Sequence, residues 1–121
     1  PTGAQEQKPL TQKEQEKIIS TILDMYHIEY VTEASMYGCV LPSGGSARFD
    51  FLLKIGYPYI LCEYDGKSAH SSEYQLRRDA LKDMWCRDMN ITLIRWSSGH
   101  YYRMEEVIDT LMKQYGIRKK K

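Results

Sequence analysis

The sequence predicts an α/β (α+β) domain, a central mixed β-sheet flanked by helices, in the order α-β-β-β-α-β-α. Three observations predict it. Apolar stripes at helical spacing stand near both ends, at Ile18, Ile19, Ile22, Leu23 and Tyr26, and at Val107, Ile108, Leu111 and Met112. Two apolar runs, residues 48–55 and 59–64, flank a hairpin connection at Gly56-Tyr57-Pro58. The second run leads into a helical stretch and then a further apolar run at 91–96, which makes a βαβ unit with parallel strands.

The elements follow in chain order. Thr11 with Glu14 three residues on reads as a capping box, so the first helix begins there and runs to about Met25. Residues 28–34 alternate as a strand, and 36–40 either extend it or form a second short piece. Residues 41–46 (LPSGGS) form a turn or loop. In the next strand Phe49, Phe51 and Leu53 are expected on one face, with Asp50 and Leu52 on the other. The continuous apolar run at 59–64 suits a central, two-sided strand. A helix from Ser72 to about Met89 is expected to pack through Leu76, Ala80, Met84 and Trp85, and Asn90 stops it. After the strand at 91–96 and a loop at 97–100, a last helix spans about 103–115.

At 121 residues the chain is long enough for one core. Residues 1–10 read as a linker remnant, 11–116 as a catalytic domain and 117–121 as a basic tail, solvated at its end. Net charge is only +1, so bulk charge does not signal nucleic acid, and any basic surface is local. Cys39, Cys62 and Cys86 are an odd count without CxxC spacing, which reads as reduced, structural thiols in an intracellular protein. No apolar run is long enough for a membrane helix.

The chemistry concentrates between Ser46 and Ala80. Asp50 lies inside the apolar run Arg-Phe-Asp-Phe-Leu-Leu, and Glu63 and Asp65 end the following one. A carboxylate among strand hydrophobics is costly unless it is paired or holds a cation. Two such strands across a hairpin bring Asp50 and Glu63 side by side as a site for Mg²⁺ or Mn²⁺, which prefer oxygen ligands. His70 has the pKa range of a general acid or base, and Asp79 on the next helix is placed to orient it. Glu16 lies near the edge of the first helix's apolar stripe, from which it could point toward these acids. Each residue also has a plainer role when taken singly. Asp50 can pair with Arg48, Asp65-Gly66 can be a turn, His70 a loop histidine, Asp79 a partner of Arg78 or Lys82, and Glu16 a solvated glutamate.

The set Arg48-Phe-Asp-Phe, Glu63-Tyr-Asp-Gly, His70, Asp79-x-x-Lys82-x-x-Trp85-Cys86 and Ile91-x-Leu-Ile-Arg95-Trp96 resembles the PD-(D/E)xK nuclease superfamily. The likeness is nearest to the very-short-patch-repair endonucleases (Vsr-like) and the EDxHD phage homing endonucleases, and it covers roughly residues 14–112. It implies a restriction-endonuclease-like fold and Mg²⁺-dependent hydrolysis of DNA phosphodiester bonds. By the same resemblance the catalytic residues would be Glu16, Asp50, His70 and Asp79. The metal would be held by Asp50 with Glu63 or the Tyr64 backbone carbonyl, and Asp65 would be either a ligand or a turn residue. Arg77, Arg78, Lys82 and Arg95 would contact DNA phosphates, which fix position rather than read sequence.

The chain departs from the wider superfamily at one place. A D…ExK site needs lysine at position 65, which here is Asp65, and Lys67 falls beyond Gly66. The lysine's role is therefore assigned to His70. Double-stranded DNA is the expected partner, with a separate DNA-recognition domain expected upstream of the linker-like start. Cutting both strands would need two active sites, which admits a homodimer. The expected setting is the cytoplasm of a bacterial or phage-infected host cell. Other readings of the same residues are a mismatch- or structure-selective nickase or resolvase, and a catalytically inactive DNA-binding module.

Overall fold

A computed structural model describes residues 10–65, 72–97 and 102–115. It shows the expected α+β architecture: α1 (Gln12–Met25), β1 (Tyr30–Val40), β2 (Ser46–Leu53), β3 (Ile60–Asp65), α2 (Glu73–Asp88), β4 (Leu93–Ser97) and α3 (Tyr102–Gln114). The sheet is mixed, in the order β1-β2-β3-β4. The β1–β2 and β2–β3 pairs are antiparallel, and β3–β4 is parallel. Residues 28–40 supply one strand rather than two, with a register shift between Met36 and Val40. No helix among the described residues is long and apolar enough to cross a membrane.

The two faces of the sheet carry two cores. On one, α1 and α3 lay Ile19, Leu23, Met104, Ile108 and Met112 over Phe51, Leu53, Cys62 and Trp96. The capping box at Thr11 and Glu14 is formed, with Glu14 N–H donating to Thr11 Oγ1 at 3.1 Å and Thr11 N–H donating to Glu14 Oε1 at 2.8 Å. It fixes where α1 starts, and so where Gln12 and Glu16 stand. On the other face a smaller core gathers Cys39, Ala47, Phe49, Leu61 and Cys86, with Trp85 and Leu93 packed on it.

Two sequence expectations change here. The face of α2 that turns inward is Lys82 and Cys86, while Leu76, Ala80 and Met84 are exposed. An ion pair takes the place an apolar seam would fill, so hydrophobic periodicity pointed to the wrong side of the helix. The second change is in β2. Phe51 and Leu53 face α1 and α3, as alternation requires, but Phe49 joins the α2 side and packs on Trp85 at 6.5 Å between ring centroids. The face therefore switches across Asp50. Opposite this point β1 is also irregular: Thr32 pairs with Phe51 and Ala34 with Phe49, and Glu33 between them has a left-handed φ of 48°. Such irregular positions re-aim side chains in sheets.

The three cysteines are free and buried. Burial pushes the Cys62 thiol from its ordinary 9.0 to about 12, and the Cys86 thiol to about 11. A thiol held neutral in the folded chain but free to ionise in the unfolded one stabilises below the unfolded value. That contribution is lost as pH rises from about 9 through the folded values. Urea melts at rising pH should show stability falling across this window, with a shallower fall in Cys62→Ala. Equal slopes in the two proteins would contradict the assignment.

Candidate functional site

The β2–β3 ladder pairs Leu53 with Ile60, Leu52 with Leu61 and Phe51 with Cys62. The next rung would be Asp50 with Glu63, and there side chains take over from backbone. Asp50 N–H donates to Glu63 Oε1 at 3.3 Å, and Tyr64 N–H donates to Asp50 Oδ2 at 2.6 Å. The two carboxylates are thus held by each other's strands at the point where regular pairing stops. A cleft of about 440 Å³ opens beside them, lined by Asp50, Glu63 and Tyr64 from the hairpin, Gln12 from α1, and Gln75, Arg78 and Lys82 from α2. Spacings of three and four place the last three on one helical face.

Glu63 is buried, and so is its partner. Lys82 Nζ donates to Glu63 Oε2 and, at 2.8 Å, to the Arg48 carbonyl, and it lies 4.9 Å from the centre of the Phe49 ring. Burial pushes the Glu63 carboxyl above its usual range, Lys82 pulls it back, and Asp50 raises it again. The turn of Phe49 toward α2 has a use here, because it walls Lys82 in on the face that carries Glu63. Lys82 entered the sequence reading as a phosphate contact. The structure instead makes it the buried counter-charge of Glu63. Its approach was hidden because it comes from a helix nineteen positions further along the chain.

Glu16 is half-buried and accepts from Gln12 Nε2 at 2.7 Å. Desolvation raises its carboxyl, the Gln12 hydrogen bond lowers it, and the Asp50 charge raises it again. Glu16 thus stands within electrostatic reach of Asp50.

The remaining acids belong to a different group. Arg95 on β4 pairs with Asp65 at 3.3 Å and Asp83 at 3.1 Å, and approaches Asp79 Oδ1 at 4.0 Å. It also donates to the Asp79 carbonyl at 3.3 Å. Asp65 and Asp79 are therefore engaged by Arg95, whose guanidinium is largely covered by three aspartates. Arg77 is exposed and paired with Glu73, while Arg48 pairs with Glu33 across β1 and β2 rather than with Asp50. Of the four basic residues assigned to phosphates, Arg78 is the one that lines the cleft without a salt bridge among the described residues, and its buried Nε has no hydrogen-bond partner. His70 lies outside the described residues, as do Gly66, Lys67 and the basic tail from position 117.

Among the described residues no group of three or more His, Cys, Asp or Glu is arranged to hold a metal ion. The donor set still suits Mg²⁺, which is held through one or two carboxylates while waters and substrate phosphates fill the remaining positions. Asp50 Oδ1 accepts no hydrogen bond among the described residues and so remains available to a cation.

Fold and cleft together define a small α+β domain with a paired carboxylate site at the edge of a sheet ladder. Residues 19–114 match the model of the family described as "Protein of unknown function (DUF2726)", and the chain belongs to that family. No curated protein and no solved structure gives a significant match to the chain.

Proposed function

We propose that the cleft beside Asp50 and Glu63 is the active site of a metal-dependent DNA endonuclease of the PD-(D/E)xK kind. The observation that carries this reading is the Asp50–Glu63 pair, two carboxylates from neighbouring strands brought together where the ladder ends. A pair of like charges at the mouth of a polar cleft, with basic side chains alongside, suits a cation bridging protein and phosphate.

In this reading Asp50 and Glu63, with the Tyr64 carbonyl, would hold Mg²⁺ or Mn²⁺. The cation supplies charge neutralisation at the phosphoryl oxygen and lowers the pKa of water. The chain's own residues do the rest. Lys82 offsets part of the rise that burial gives the Glu63 carboxyl. Arg78, which lines the cleft without a salt bridge among the described residues, anchors a phosphate oxygen. Glu16, held by Gln12 beside Asp50, orients water at the open side. His70 carries the proton, as the sequence resemblance assigns it.

A supercoiled-plasmid nicking assay tests the reading. The expected result is conversion to open-circle or linear DNA with Mg²⁺ or Mn²⁺ and none with a chelator. A chain that binds neither Mn²⁺ nor DNA and leaves the plasmid intact would defeat it.

A further inference from the structure

The Glu63–Lys82 pair has a consequence beyond charge balance. Both Glu63 oxygens are already taken by the protein, Oε1 by Asp50 N–H and Oε2 by Lys82. A cation shared by Asp50 and Glu63 would need one of them back. The Asp50 N–H is fixed in the strand, whereas Lys82 is a side chain on α2 with two other contacts to keep it in place, the Arg48 carbonyl and the Phe49 ring.

We infer that Lys82 is a resident surrogate for the cation: it occupies Glu63 until a divalent ion displaces it, and so sets the affinity of the site. This rests on the metal-site reading above. The electrostatics run one way. Two buried or half-buried carboxylates facing each other on adjacent strands need a positive charge nearby, and Lys82 supplies one in the chain without a cation. When the cation arrives, that attraction is given up and a like charge remains within a few ångströms, which weakens binding. Displacement swings the Lys82 ammonium toward the cleft it already lines, beside Arg78. The site then gains a positive charge on its phosphate side only when the cation is bound, so cation binding favours binding of a polyanionic strand.

The test uses Mn²⁺ and Mg²⁺ on the intact chain. In titration calorimetry at about pH 8, Lys82→Met should bind Mn²⁺ about tenfold more tightly than the native chain or better. Its melting temperature should also rise more on adding Mn²⁺. In the native chain, acetylation of Lys82 by a small amine reagent, followed by peptide mass analysis, should be slow without Mg²⁺ and several-fold faster with it. Equal or weaker Mn²⁺ binding by folded Lys82→Met, or Lys82 equally protected with and without Mg²⁺, overturns the inference. If Lys82→Met fails to fold, the labelling result decides. Binding of Mn²⁺ by the native chain that is lost in Asp50→Ala but unchanged in Lys82→Met overturns this inference alone. No binding by the native chain overturns the metal-site reading with it.

Discussion

Asp50→Asn is expected to remove cation-dependent DNA cleavage while leaving the fold as stable as before or slightly more so. The two halves of this expectation come from different bonds. Asparagine keeps an oxygen that accepts from Tyr64 N–H, so the link between β2 and β3 that now measures 2.6 Å survives. What is lost is the negative charge. That charge raises the carboxyls of both Glu16 and Glu63, so its removal relieves repulsion in the resting chain. In the proposed reaction the same charge would help to hold the cation. A thousandfold loss in nicking rate corresponds to about 4 kcal/mol of transition-state stabilisation, of the order a well-placed cation supplies. Plasmid nicking rates and urea melts measured on the same preparation check both halves. Full activity in Asp50→Asn would refute the site, and collapse of the fold would refute the account of its hydrogen bonding.

The sheet was legible because strand residues report their faces at a period of two, and the α1 and α3 stripes because they pack on apolar neighbours. The site was legible in part. Asp50 and Glu63 stood out as acids in apolar runs, and the structure places them opposite each other, one rung beyond the last backbone pair. Glu16 beside the helical stripe read equally as a solvated glutamate, and only the family resemblance drew it toward the acids. Three features were hidden, each for a physical reason. The inward face of α2 is built on Lys82, whose fitness for burial depends on a partner in another strand and not on its own hydropathy. Phe49 changes face because of local backbone geometry at Asp50 and Glu33, which the alternation pattern does not encode. Arg95 meets Asp65, Asp79 and Asp83 only because β4 lies parallel to β3 with Glu63 opposite Arg95, a register no local pattern reveals. Long-range charge pairing decided the α2 face and the Arg95 cluster, and local backbone geometry decided Phe49.

The largest effect on stability is expected at the same pair. Lys82→Met, without any cation, should cost about 3–5 kcal/mol, the usual result of removing one partner from a buried ion pair. Most of that cost is the charge left behind. Glu63 is already raised by burial, and losing Lys82 removes the main influence pulling it down. With its folded value raised above the ordinary 4.5, Glu63 contributes stability that is present at acid pH and lost as pH rises through that folded value. The deficit of Lys82→Met against the native chain should therefore shrink as pH is lowered toward 4.5, opposite to the general weakening that acid brings to carboxylate pairs. The double variant Glu63→Leu with Lys82→Met removes both charges and keeps the volume. It should recover to within about 1–3 kcal/mol of the native chain, the remainder being the Arg48 carbonyl left without its donor and the Asp50 N–H left without its acceptor. Urea melts of the three proteins at neutral and acid pH measure all of this. A double variant as unstable as Lys82→Met would mean that the lysine stem and its Phe49 contact, rather than the buried charge, hold α2 to the sheet.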